Sequence, residues 1–132
     1  LGKAITLREG ADVTIIASGT MVYESLEAAK ALEEKGISAT VVNMHTIKPL
    51  DTSVIDKAVS SSKVIATVEE HSVIGGLGSA VAEYKASFAG APPQLIIGLP
   101  DNYGKAGDYR YLLEKYGLTG QQIAQKIMAH LQ

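Results

Sequence analysis

The fold turns on residues 13–36, VTIIASGTMVYESLEAAKALEEKG. Val13-Thr14-Ile15-Ile16-Ala17 is β-branched and almost continuously apolar, the composition of a strand covered on both faces. Ser18-Gly19-Thr20 makes a turn. Val22, Leu26, Ala29 and Leu32 then recur at the helical period as far as Lys35-Gly36, where a lysine suits the helix dipole and a glycine can end the helix. A doubly covered strand that passes straight into an amphipathic helix is the first half of a βαβ unit, so a mainly parallel sheet is predicted.

The rest of the chain repeats this alternation. Ala39–Met44 is the next strand, and Asp51 is placed to cap a helix whose apolar face is Val54, Ile55, Ala58 and Val59, closed by Ser60-Ser61-Ser62. Lys63–Val68 is a strand, residues 77–88 a helix, and Gln94–Gly98, after the break at Ala91-Pro92-Pro93, a fourth parallel strand. Tyr109–Tyr116 is a short helix closed at Gly117. Thr119-Gly120-Gln121-Gln122 fits a capping box, with Leu118 and Ile123 spaced as a hydrophobic staple. Ile123, Ile127, Met128 and Leu131 form one stripe that docks the last helix on the sheet. Lys3–Leu7 is an extra strand, and its short connection to Val13 permits only antiparallel pairing. The expected fold is a three-layer α/β domain: a mixed, mostly parallel sheet of about five strands with helices on both faces.

The chain has 132 residues, the size of a single domain (residues 1–132) with a core large enough to need no disulfide or metal. It has no cysteine, which excludes thiol nucleophiles, thiolate metal sites and redox pairs and fits a reducing compartment. Twelve basic residues against 14 acidic ones leave a net charge of −2 with no Lys/Arg run, so neither nucleic acid nor an anionic membrane is an expected partner. The longest apolar runs are far below the ~20 residues of a membrane span and no signal segment opens the chain, so a cytoplasmic location is expected. Leu1 in place of a methionine suggests a piece of a longer protein.

In open α/β sheets ligands gather at the carboxyl ends of the strands. Here those ends carry Ser18-Gly19-Thr20, Asn43-Met44-His45, Glu69-Glu70-His71 and Leu99-Pro100-Asp101. The last acidic strand end opens into EEHSVIGGLGSA, residues 69–80. Gly76-Leu77-Gly78-Ser79-Ala80-Val81 begins like a dinucleotide fingerprint but has valine at its third small position, and residues 69–75 separate it from the strand expected to end at Val68. A P-loop is excluded for want of Gly-Lys-Ser/Thr, and a serine hydrolase elbow is absent. Gly75, Gly76 and Gly78 either take positive φ in the turn or admit a close backbone approach, and either arrangement offers N–H groups to an anion. His71 beside Glu69 and Glu70 has the composition of a base with its orienting carboxylate, and with His45 and Asp101 that of a metal set, yet no HxH or HxxxH spacing supports metal. His130, in the last helical turn, is explained by the dipole. No residue is assigned as catalytic, cofactor-binding or metal-binding. Glu69, Glu70, His71, Gly75, Gly76, Gly78, His45 and Asp101 are the candidate interface or anion-site residues.

Three stretches in register, Gly10–Gly19 (GADVTIIASG), His45–Asp51 (HTIKPLD) and Glu69–Ser79 (EEHSVIGGLGS), resemble the C-terminal domain of the transketolase superfamily over nearly the whole chain. That superfamily also holds deoxyxylulose phosphate synthase and the β chains of 2-oxo acid dehydrogenases. The tail, Gly98–Gly107 (GLPDNYGKAG) followed by LLEKYGLT at 112–119, is similar to transketolases of the two-subunit bacterial and archaeal kind. The resemblance implies a parent enzyme that moves a two-carbon ketol unit between sugar phosphates with thiamine diphosphate and Mg. In it, one domain grips the diphosphate and metal and a second holds the aminopyrimidine. The third domain, this one, binds no cofactor and is silent alone. The implied partners are those two domains, in a homodimer or two-subunit assembly. The competing readings are the same domain from a deoxyxylulose phosphate synthase or a 2-oxo acid dehydrogenase β chain, and an autonomous nucleotide or sugar-phosphate module built on the glycine turn.

Overall fold

The computed structural model describes residues 2–72, 76–99 and 109–131. Their elements run β1 (Ile5–Arg8), β2 (Val13–Ala17), α1 (Met21–Glu33), β3 (Ala39–Asn43), α2 (Thr52–Ser61), β4 (Val64–Ser72), α3 (Leu77–Lys85), β5 (Gln94–Leu99), α4 (Tyr109–Lys115) and α5 (Gly120–Leu131). The strands make one sheet ordered β1-β3-β2-β4-β5, in which β3, β2, β4 and β5 are parallel and β1 is antiparallel to β3.

Side-chain alternation divides the core in two. Ile15, Val41, Ala66 and Val68 point to the face covered by α1 and α5, where they meet Ala28, Leu32, Ile123 and Ile127. Ile16, Val42 and Ile65 point to the other face, onto Ile55 and Ala58 of α2 and Leu77 and Val81 of α3. With both faces covered, every residue of β2 is buried, which is why its sequence is apolar without interruption. From β2 the chain passes to β3, then crosses back to β4 and on to β5. Connections leaving β2 and β4 therefore diverge, and a crevice opens between their carboxyl ends.

Four expectations are corrected. The strand predicted to stop at Val68 continues through Glu69-Glu70-His71 to Ser72, because Glu69 and Ser72 still pair with Gly98 and Leu99 of β5 across a register shift. The first strand is antiparallel, as its short connection requires, but its partner is β3: both flanks of β2 are already taken. The buried stripe of α1 is Met21, Glu24, Ser25, Ala28, Ala29 and Leu32, so Val22 and Leu26 lie at its margin. The helix after the glycines ends at Lys85, three residues short of Phe88.

The caps follow the sequence. Asp51 Oδ1 accepts the Ser53 N–H at 3.1 Å, and Oδ2 accepts the Ala4 N–H at 2.8 Å, tying the approach to β1 onto α2. These bonds, led by that from the Ser53 hydroxyl, hold the Asp51 carboxyl below the usual carboxylate range. Thr119 Oγ1 accepts from Gln122 N and Gln122 Oε1 accepts from Thr119 N, both at 3.2 Å, the reciprocal capping box. Leu118 and Ile123 are fully buried beside it. Gly36 (φ 79°) and Gly117 (φ 74°) take the left-handed conformation after their helices. Among the described residues no helix is long and apolar enough to cross a membrane.

Candidate functional site

Alternation along β4 decides what the two glutamates do. Val64, Ala66 and Val68 face α1 and α5, while Ile65 and Thr67 face α2 and α3, so Glu69 projects under α3 and Glu70 toward the α1 side. Glu69 is 1% exposed. Its Oε1 accepts the Leu77 N–H and its Oε2 the Gly78 N–H, each at 2.8 Å. These are the first two helical N–H groups of α3, so a buried carboxylate of the protein already occupies the anion position at that helix start. Glu70, on the opposite face, accepts a hydrogen bond from the Thr20 hydroxyl with its Oε2, and Thr20 is the N-cap residue of α1. Consecutive acidic residues thus place one negative charge at the positive end of a helix on each side of the sheet.

The glycines are explained by space. Gly76 has φ −98°, and no described glycine of the run has positive φ. A Cβ on Gly76 would touch Glu69 Oε1 and lie 2.9 Å from Cδ; one on Gly78 would lie 2.7 Å from Ile96 Cγ2 and 3.0 Å from Thr67 Oγ1. Gln94 reinforces the contact, donating to the Gly78 carbonyl at 2.9 Å and to Thr67 Oγ1 at 3.3 Å. The close-approach reading therefore holds at both positions.

The strand ends are laced together. Ser18 N donates to Val68 O at 3.2 Å and Met44 N to Ala17 O at 2.8 Å, aligning the three carboxyl-end loops of β2, β3 and β4. In the crevice between them lies an open cleft of about 340 Å³, lined by Ser18, Gly19, Thr20, Met44, His45, Ile47 and Glu70. His45 is exposed at its rim. The structure thus brings His45 and Glu70 to one cleft and turns Glu69, Gly76 and Gly78 away from it into the packing of α3. His71 lies in β4. Gly75 and Asp101 fall outside the described residues.

The sequence did not single out Glu24. This α1 residue is 5% exposed; its Oε1 accepts the Gly120 N–H at 2.8 Å and its Oε2 a bond from Arg110 Nη1 at 3.0 Å, capping α5 and holding α4. A Cβ on Gly120 would fall 2.6 Å from Glu27 Cβ, so α1 and α5 meet backbone to backbone here. The signal was its spacing: Glu24 falls in the Met21, Ala28, Leu32 rhythm of the buried face.

The family model described as "Transketolase, C-terminal domain" matches residues 2–123. The chain belongs to the transketolase C-terminal domain family. A transketolase C-terminal section from Methanocaldococcus jannaschii is 47% identical over 131 residues, covering 99% of this chain and 40% of that protein. A 6-deoxy-6-sulfo-D-fructose transketolase subunit from a Clostridium species is 46% identical, covering 93% of this chain and 38% of the subunit. A 1-deoxy-D-xylulose-5-phosphate synthase from a Synechococcus species is 45% identical over the whole chain but 20% of its own length. Among solved structures, a split-gene transketolase in an inactive β4 tetramer superimposes with a TM-score of 0.90 at 43% identity, over 97% of this chain and 42% of that one. Campylobacter jejuni transketolase shares the fold, with a TM-score of 0.68 at 20% identity over 97% of this chain and 18% of its own. This transketolase C-terminal domain therefore spans well under half the length of these relatives.

Proposed function

We propose that this transketolase C-terminal domain is the assembly and stabilising domain of a larger thiamine diphosphate-dependent transferase, a transketolase that moves a ketol unit between sugar phosphates, and that it carries no chemistry of its own. The observation that carries this reading is Glu69. Glu69, one of the two carboxylates that could have oriented a histidine base, is buried and bonded to two backbone N–H groups of α3. The diphosphate of the family's cofactor does not fit that glycine-flanked helix start, because the Glu69 carboxylate fills it and a second anion would meet it in a buried site. The matched length supports the rest: relatives of about 40% coverage leave room for the cofactor-binding domains. Residues 1–132 are then one domain of a multidomain or two-subunit enzyme, and its partners are the pyrimidine-binding and diphosphate-binding domains.

The similarity to 1-deoxy-D-xylulose-5-phosphate synthases over the entire chain favours a second parent of the same superfamily. One experiment addresses both. The 132-residue chain is assayed for ketol transfer with thiamine diphosphate and magnesium, and is then exchanged for the corresponding C-terminal section of a split-gene transketolase and of a deoxyxylulose phosphate synthase. The expected outcome is no turnover by the chain alone and recovery of activity in the transketolase exchange. Turnover by the isolated chain overturns the proposal. Recovery only in the synthase exchange reassigns the parent.

A further inference from the structure

We infer that the free edge of β5 pairs with the β5 of a second copy of this chain, antiparallel about a two-fold axis. β5 ends the sheet: β4 flanks it on one side and no described strand flanks it on the other. The phase of its hydrogen bonds is fixed by Pro93, whose carbonyl accepts the Ile65 N–H of β4 at 3.0 Å. In a parallel ladder alternate residues bond to the same neighbour, so Leu95 and Ile97 turn their N–H and C=O groups to β4 while Gln94, Ile96 and Gly98 turn theirs outward. Ile96 is 38% exposed, whereas Ile97 is buried. Backbone groups along such an edge are a template for another strand.

The two edges of the sheet are built differently. β1 has only four residues, a register shift between Thr6 and Arg8 and a charged end at Arg8, the features that keep an edge from pairing. β5, Gln94-Leu95-Ile96-Ile97-Gly98-Leu99, carries no charge and no proline, and the register shift beside it adds residues to β4 beyond the Glu69–Gly98 pair. The same sequence selects the partner. An uncharged edge has no preference for a partner of either sign, whereas two copies running antiparallel with Ile96 opposite Ile96 place Gln94 opposite Gly98, so that every outward N–H meets an outward C=O. Gln94 Nε2 donates to the Gly78 carbonyl and Ile96 packs against Gly78, so by alternation Gln94, Ile96 and Gly98 share the α3 face. The two isoleucines then form an apolar cross-strand pair, and Gly98 leaves room for the Gln94 side chain opposite. This pairing does not depend on which parent enzyme the domain serves.

Sedimentation velocity and amide hydrogen exchange of the 132-residue chain, from micromolar to millimolar concentration, test the pairing independently of any ketol-transfer assay. A closed dimer of twice the 13.9 kDa chain is expected at high concentration. The amides of Gln94, Ile96 and Gly98 should gain protection as it forms, while those of Leu95 and Ile97 are protected at every concentration. Ile96→Lys and Ile96→Glu each set like charges opposite one another at the axis and should weaken the dimer about tenfold; mixing the two should restore it, and Ile5→Lys on β1 should leave it unchanged. Exchange in the unaltered chain decides the matter even where the Ile96 variants fail to fold. A monomer at every concentration, association beyond a dimer, or protection at residues 94, 96 and 98 that does not follow concentration would each overturn the proposal. So would a dimer within about twofold of the parent in a folded Ile96 variant, no recovery on mixing the two, or an equal loss in Ile5→Lys.

Discussion

Replacing Glu69 by alanine should be among the most destabilising single changes at the carboxyl edge. The substitution leaves two N–H groups, of Leu77 and Gly78, without acceptors beneath a buried helix start. An orphaned buried donor costs about 1–3 kcal/mol, and the lost favourable charge at the start of α3 adds roughly 0.3–1 kcal/mol. Water reaching the half-buried Gly76 offsets part of this, which leaves a loss of about 3–4 kcal/mol from a total of roughly 5–15 kcal/mol for a domain. For a chain of this size the midpoint of thermal unfolding should fall by roughly 10–15 °C. Glu69→Gln keeps one carbonyl acceptor but turns an amide NH2 toward the other donor, and should cost about half as much. Glu70→Gln, at a half-exposed position with an acceptor retained for Thr20, should stay within about 0.5 kcal/mol. Urea titration of the three variants reads the series. A loss below about 1 kcal/mol for Glu69→Ala, or equal losses at positions 69 and 70, would refute the division of labour between the two carboxylates.

Gly76→Val should be destabilised for the same reason, its Cβ displacing the Glu69 carboxylate, so the double variant with Glu69→Ala should cost clearly less than the sum of the two; additivity in a double-mutant cycle would contradict this. Glu24→Ala should lose about 2–4 kcal/mol by leaving Gly120 N uncapped and Arg110 without its buried partner, as checked by urea unfolding, and should loosen α5 in hydrogen exchange before the sheet opens. The depressed Asp51 carboxyl contributes stability that is present above its unfolded pKa, near 3.8, and is lost as pH falls through its lower folded value. Asp51→Asn should flatten that acid limb of the stability curve, and an unchanged limb would assign it to other groups.

The core and the caps were open to sequence reasoning because they are local. Val13–Ala17 declares its burial by composition, and Asp51, Thr119-Gln122, Gly36 and Gly117 mark helix ends through bonds or dihedrals set within a few residues. What stayed hidden depends on contacts distant in sequence. Glu69-Glu70-His71 reads as a loop because charge argues against a strand interior, yet Glu69 is stabilised in β4 by a helix start eight residues later. Glu24 looks like a solvent-facing residue that favours a helix N-terminus until Gly120, from the other end of the chain, delivers its N–H. Likewise the partner of β1 follows from the occupancy of β2 by β3 and β4, which no local pattern records.

At the carboxyl edge the protein completes its own helices, and under the proposed function that edge meets other domains while the cofactor is held elsewhere. Calorimetric titration of the 132-residue chain with thiamine diphosphate and magnesium tests this most directly. The predicted result is heat of dilution alone; saturable one-to-one binding at micromolar concentration would contradict it.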